Sequence, residues 1–260
     1  MKRIIVYALT VVIVIAAVLY LPIFTPGNFK KGDRCVGDIS VPAGYERIDG
    51  DDMEYSEFLR SIPLKPKGTK VTLFKNGENA KFSNTISCAV IDLPLLSNAE
   101  QCADACIRLR SEYLFRHGKY GRICFKDNAG IPFQYLGGRC RKAFETYLRT
   151  VYNVANTESL CRELPQRDPK DIQPGDILVY KVRPGRKYGH AIMVLDVVQN
   201  PKNGRKMVML AEGCTPACDI HVLANLKNPR KSPWFSWDEN AEVQYFDCFK
   251  YYKNELRRFK

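Results

Sequence analysis

The sequence predicts a single α+β domain, helices first and an antiparallel meander after them, carried behind an amino-terminal apolar segment. Three observations lead there. The 21 residues from Ile4 to Phe24 contain no charge; apolar residues recur at helical spacing between Asn98 and Leu164; and from Gln173 onward short β-branched runs alternate with Gly, Pro and Asn turns. A composition of 45% hydrophobic and 26% charged residues excludes a disordered or collagen-like chain. Ten cysteines in 260 residues is too sparse for a disulfide scaffold, and a chain of this length buries a core without covalent staples. No internal repeat divides the body.

The apolar stretch is long enough to cross a hydrocarbon core, which takes about 20 helical residues. Lys2 and Arg3 precede it, so the positive-inside rule keeps the amino terminus in the cytoplasm and sends the body out, against a weaker pull from Lys30, Lys31 and Arg34. A cleaved signal is the competing reading, but its apolar region is usually about 7 to 15 residues and ends in small residues. Here the stretch runs into Leu21, Pro22, Ile23 and Phe24. The expected organisation is a transmembrane signal anchor over 1–25, a linker over 26–36, and an extracytoplasmic domain over 37–260, in the periplasm or cell envelope. Cys35 lacks the small apolar residues of a lipidation site, so the membrane is met through the helix alone.

Within the body, VPAGYERI and TKVTLF read as strands around a short helix from Tyr55 to Ser61, and ISCAVID (86–92) reads as a buried strand ending before Pro94. A helix follows, with Asn98 as N-cap and Gly118 in the C-cap position; Cys102, Cys106, Leu109 and Tyr113 share one face. A second helix runs from about Lys142 to Asn153, and Thr157 caps a third through Leu164. Strands are then expected at DILVYKV, HAIMVLDVV, KMVMLAE and DIHVL, with EVQYFDCF closing the sheet.

The net charge is +12, of which residues 1–34 carry +4, leaving a basic body at +8. Its cations are scattered, with no run that reads as a nucleic-acid tail, so no nucleic-acid partner is expected. A solvated basic surface is the plain reading, and it also suits anionic lipid or an acidic envelope polymer.

Chemistry converges on three features: Cys102 in the first turn of a helix, Gly175-Asp176 leading into a strand, and Gly189-His190 at the head of the next. The positive end of a helix stabilises a thiolate, the nucleophilic form of cysteine, and imidazole exchanges a proton near neutral pH. A small buried hydrophobe is the structural alternative for Cys102, and a strand cap for His190. Cys106 sits a turn deeper, as a core thiol. His117, at a helix end, suits the dipole and has no assigned chemistry.

In that order the features resemble the NlpC-type and amidase-type papain-like peptidases of bacterial cell walls. More of the chain, from Pro42 to Phe249, resembles a bacterial family designated domain of unknown function 4846, through AEQCADACIRLRSEYL, IPLKP, DIQPGDILV, GHAIMVLDV and PACDIHVL. The chain departs from that family's pattern at Cys106, Glu212, Cys214 and Cys218. The resemblance to the peptidases implies a papain-like (NlpC-type) α+β fold, a helix-borne nucleophile at Cys102, a base at His190, and a third polar residue near Glu212. It also implies an amide or ester substrate, a cell-wall peptide foremost, cleaved through an acyl-thioester.

If the turn pairs Asn200 with Arg205, Glu212 faces Met193, so contact with His190 needs twist or a bulge; Gln101, Asp196 and Asp219 stay open as substitutes. Cys214 and Cys218 followed by His221 fall short of a zinc set, and no metal or cofactor is expected. In an oxidising envelope a disulfide using Cys214 or Cys218 is the better expectation. The rival class is a noncatalytic envelope protein that binds a glycan, lipid or partner; Trp234, Phe235 and Trp237 offer it a surface, although finishing the core is the better expectation for them. Oligomeric state is not readable.

Overall fold

The computed structural model describes residues 28–260; the membrane segment expected over 1–25 lies outside the described residues. Among the described residues no helix is long and apolar enough to cross a membrane. The architecture is mixed α+β with antiparallel sheets. Its helices are α1 (Met53–Ser61), α2 (Lys81–Ile86), α3 (Cys102–Arg116), α4 (Arg141–Val154) and α5 (Thr157–Glu163). The main sheet contains β1 (Glu46–Ile48), β2 (Ser87–Val90), β5 (Asp176–Tyr180), β6 (His190–Gln199), β7 (Lys206–Glu212), β8 (His221–Leu223), β9 (Trp234–Trp237) and β12 (Leu256–Arg258). Two small hairpins stand apart, β3 (Cys124–Lys126) with β4 (Pro132–Gln134) and β10 (Val243–Phe246) with β11 (Phe249–Tyr252).

The sheet runs in the order β12-β5-β6-β7-β8-β2, with β1 added to the far end of β6 and β9 to the near end of β7. Every residue of β6 except its two ends is buried, as the apolar run on both faces of HAIMVLDVV requires. One face, with Ala191, Met193, Leu195, Met207 and Met209, packs against Ala105, Cys106, Ile107, Leu109 and Tyr113 of α3. Burying each of the larger side chains stabilises the fold by about 1.5–3 kcal/mol. The other face, with Ile192, Val194, Val208 and Leu210, meets Phe235, Trp237, Phe246 and Tyr251. Trp234, Phe235 and Trp237 finish the core, as expected, and offer no binding surface; all are below 8% exposed.

Several elements differ from the sequence expectation. TKVTLF makes isolated bridges, because Asp219 Oδ2 accepts from both the backbone N–H and the hydroxyl of Thr72 at 2.8 Å and so replaces strand partners. EVQYFDCF does not close the sheet: Asp247, at φ 50°, turns it into the β10–β11 hairpin, and Leu256–Arg258 pairs with β5 instead. Helix α3 begins at Cys102, with Gln101 as N-cap, and Asn98 lies in the turn before it. The Asp104 carboxylate accepts the Gln101 N–H at 3.0 Å, fixing the start one turn later than Asn98 would. At the other end Gly118, at φ 67°, terminates the helix as expected, with Lys119 N–H donating to Leu114 O at 2.8 Å. Phe29, in the stretch expected to be a linker, is packed into the core.

Candidate active site

The site forms where the amino-terminal turn of α3 meets the margin of the sheet. Cys102 opens α3 and His190 opens β6, so both stand at element ends and not within a packed face. Gly213, next to Glu212, lets the helix approach: a Cβ there would come within 3.1 Å of both Ala105 Cβ and Gln101 O. Thr215 strengthens the junction by donating its hydroxyl to Gln101 Oε1 at 2.8 Å. The Cys102 thiol lies near enough to the His190 ring to raise its pKa.

A β-bulge decides which carboxylate the imidazole meets. The turn does pair Asn200 with Arg205, and β6 and β7 keep that register from Gln199↔Lys206 to Asp196↔Met209. There the register shifts: Val194 faces Leu210, Met193 faces Ala211, and Leu195 is left without a partner. An unbroken register would put Glu212 opposite Met193, on the helix-covered face. The shift carries Glu212 to the face of Ile192 and His190, as a diagonal neighbour of the histidine. His190 Nε2 and Glu212 Oε2 are 2.5 Å apart. With Nε2 committed to the carboxylate, Nδ1 is the ring atom left for the thiol.

Glu212 has a second imidazole. His221 pairs directly with it across β7 and β8, and His221 Nε2 approaches Glu212 Oε1 at 3.3 Å, an ionic contact without hydrogen-bond alignment. The other His221 nitrogen, Nδ1, meets Asp219 O at 2.9 Å. Phe249 lies flat on the His190 ring, with centroids 4.8 Å apart and planes within 10°, and fixes its orientation. Sequence reading missed the roles of His221 and Phe249; the Glu212-to-His221 spacing across a short loop was the available signal for the first.

The electrostatics follow from burial opposed by partners. Burial alone would lower the His190 pKa, but Cys102 and Glu212 hold it well above the ordinary histidine range. Burial opposes the imidazolium of His221 too, and Glu212 outweighs it, raising that pKa. For Glu212 burial would raise the pKa, and the two histidines overcome it, holding the group ionised below the usual glutamate range. Burial pushes the Cys106 thiol far up, in keeping with a core thiol whose Sγ points to Cys102 O at 3.6 Å.

The substitutes for Glu212 are engaged elsewhere. Asp196 is held by Arg47 and Arg60, Asp219 by Lys65 and Thr72, and Gln101 by Thr215. His117 stays away, with its Nδ1 2.8 Å from Tyr113 O. Asp176 is buried under Arg258, which opposes the effect of burial and leaves its pKa raised to about 6. Among the described residues no three His, Cys, Asp or Glu side chains are arranged to hold a metal ion.

Cys102 lies on the wall of a cavity of about 520 Å³, shared with Gln101, Tyr152, Thr157, Tyr188 and Thr215. A cavity of the same volume around Tyr45, Lys206 and Trp237 sits at the opposite end of β7 and has no cysteine or histidine on its walls. The first is large enough for a small ligand at the thiol.

The chain belongs to the family described as Domain of unknown function (4846), which it matches over residues 36–139 and 136–258. No curated protein and no solved structure matches it.

Proposed function

We propose that this member of the domain of unknown function 4846 family is a cysteine hydrolase of papain-like type, with Cys102 as nucleophile, His190 as base and Glu212 as the group that orients the imidazole. The observation that carries the reading is the juxtaposition of Cys102, His190 and Glu212, brought together from three elements with Cys102 on the wall of a cavity. With its pKa held high, His190 carries the thiol proton on Nδ1 as an imidazolium beside Glu212, and the Cys102 thiolate so formed attacks an amide or ester carbonyl carbon. The oxyanion is met by the backbone N–H of Cys102, a first-turn amide that has no intrahelical acceptor. Collapse expels the amine or alcohol, which leaves with the proton from His190, and water then attacks the thioester with His190 again as base. The acid is released and the thiol restored. Glu212 remains ionised and balances the imidazolium formed at each proton transfer, with His221 behind it as a positioning residue.

The substrate class follows from the remoter resemblance: a cell-wall peptide amide, reached by a body anchored through the amino-terminal apolar segment on the outer side of the membrane. The test is covalent labelling of the intact chain by an acyl-directed electrophile. Labelling at Cys102 that disappears in both Cys102→Ala and His190→Ala supports the hydrolase. Labelling of Cys102 that is indifferent to His190 favours the noncatalytic binding protein.

A further inference from the structure

A second pair of sulfurs lies beside the site and has no part in the proposed hydrolysis. Cys214 and Cys218 flank the loop that joins Glu212 to His221. Both pack into one small apolar cluster with Val71, Ala80 and Val90. Cys218 is fully buried, with Ser83 Oγ 3.7 Å from its sulfur, whereas Cys214 is half-buried. In this structure all ten cysteines are thiols.

We infer that Cys214 and Cys218 form a reversible dithiol–disulfide site, oxidised by exchange with a small disulfide. The packing of both side chains in one cluster, four residues apart on one loop, supplies the geometry, and the difference in exposure sets the order of events. Cys214 is the thiol that solvent reaches, and the neighbouring Cys218, His190 and His221 lower its pKa, whereas Cys218 is fully buried. Cys214 is therefore the attacking thiolate. It displaces one half of the small disulfide as a thiolate and forms a mixed disulfide. Its negative charge is then gone from beside Cys218, which releases its proton to the departing thiolate, attacks the Cys214 sulfur and expels the second half. Two protein thiols are oxidised to one disulfide, and one small disulfide is reduced to two thiols.

The site goes beyond the hydrolase reading and does not depend on it. The test places the intact chain in buffers of oxidised and reduced glutathione, traps the remaining thiols by alkylation, and maps the peptides by mass. A Cys214–Cys218 link that grows with the oxidised fraction and disappears with dithiothreitol is expected. In Cys218→Ser, whose fold is checked by far-ultraviolet circular dichroism, Cys214 should instead accumulate as the glutathione mixed disulfide. A folded chain in which both thiols stay alkylatable under oxidising buffer overturns the inference. So does a link from Cys214 to Cys248, the exposed cysteine of the neighbouring hairpin, or a mixed disulfide that forms on Cys218 in Cys214→Ser as fast as it forms on Cys214 in Cys218→Ser.

Discussion

Two fully buried carboxylates stand on adjacent strands of one sheet, and their partners separate them. Asp196 of β6 lies between Arg47, at 2.7 Å, and Arg60, at 2.9 Å. Glu212 of β7 lies between His190, at 2.5 Å, and His221, at 3.3 Å. Guanidinium stays charged at every pH a folded protein meets, so the Asp196 cluster is a fixed clamp between β6, β1 and α1. Imidazole gains and loses a proton near neutrality, so the Glu212 cluster can take part in proton transfer. The same bulge serves both: Asp196 sits at the register shift, and the shift turns Glu212 toward His190. The sheet is pinned at one end of β6 and chemically poised at the other.

Substitution should break the two clusters in different ways. The largest effect expected is at the poised end: His190→Ala should slow covalent labelling of Cys102 by about a hundredfold or more, the size of a lost general base. Measured by timed quench and mass spectrometry on the folded fraction, the loss should come with a lower unfolding midpoint, because buried Glu212 is left with His221 alone. At the pinned end, Asp196→Asn leaves Arg47 without a carboxylate and Arg60 with Asp49 alone, and should cost about 3 kcal/mol in urea unfolding. The rate of Cys102 labelling in its folded fraction should hold. Glu212→Gln keeps the shape and removes the charge that supports the imidazolium, and about a tenfold loss of labelling, or about 1.4 kcal/mol, is expected.

The pH dependence of stability sharpens the contrast. His190 and His221 have folded pKa values above their unfolded value of about 6.5, so their stabilisation is complete below that pH and is lost as pH rises through the folded values. Glu212 is depressed, so its stabilisation is present above about pH 4.3 and is lost as pH falls through its folded value. Urea midpoints taken from about pH 6.5 upward should therefore fall, by on the order of 1 kcal/mol per pH unit for each histidine titrating. His221→Asn should flatten that slope and Asp196→Asn should not. The smallest effect belongs to Thr215→Val, which removes one hydrogen bond to Gln101 and should cost about 1 kcal/mol.

Cys102, His190 and Glu212 were legible as residues because their signals are local: a cysteine opening a helix, Gly-His at a strand head, a carboxylate ending the next strand. Their contact was not. It depends on Leu195 dropping out of register, and nothing in HAIMVLDVV marks which residue a bulge will leave unpaired. His221 reads in sequence beside Cys214 and Cys218 as a ligand fragment; only the β7–β8 pairing shows that it faces Glu212. The long strands and α3 were legible from periodicity. The start of α3 was displaced because a side chain inside the helix, Asp104, caps Gln101 in place of Asn98. The β10–β11 hairpin escaped because its turn rests on Asp247 at positive φ, a conformation that aspartate adopts only in context.

The most direct test of Cys102 activation by His190 is the native alkylation rate of Cys102 as a function of pH, with Cys106 followed in the same digest as an internal reference. Activation predicts that Cys102 reacts fast below pH 7, that His190→Ala slows it markedly there, and that Cys106, buried and far up in pKa, stays unreactive in both chains. Equal Cys102 rates in the parent chain and in folded His190→Ala across that range would contradict it.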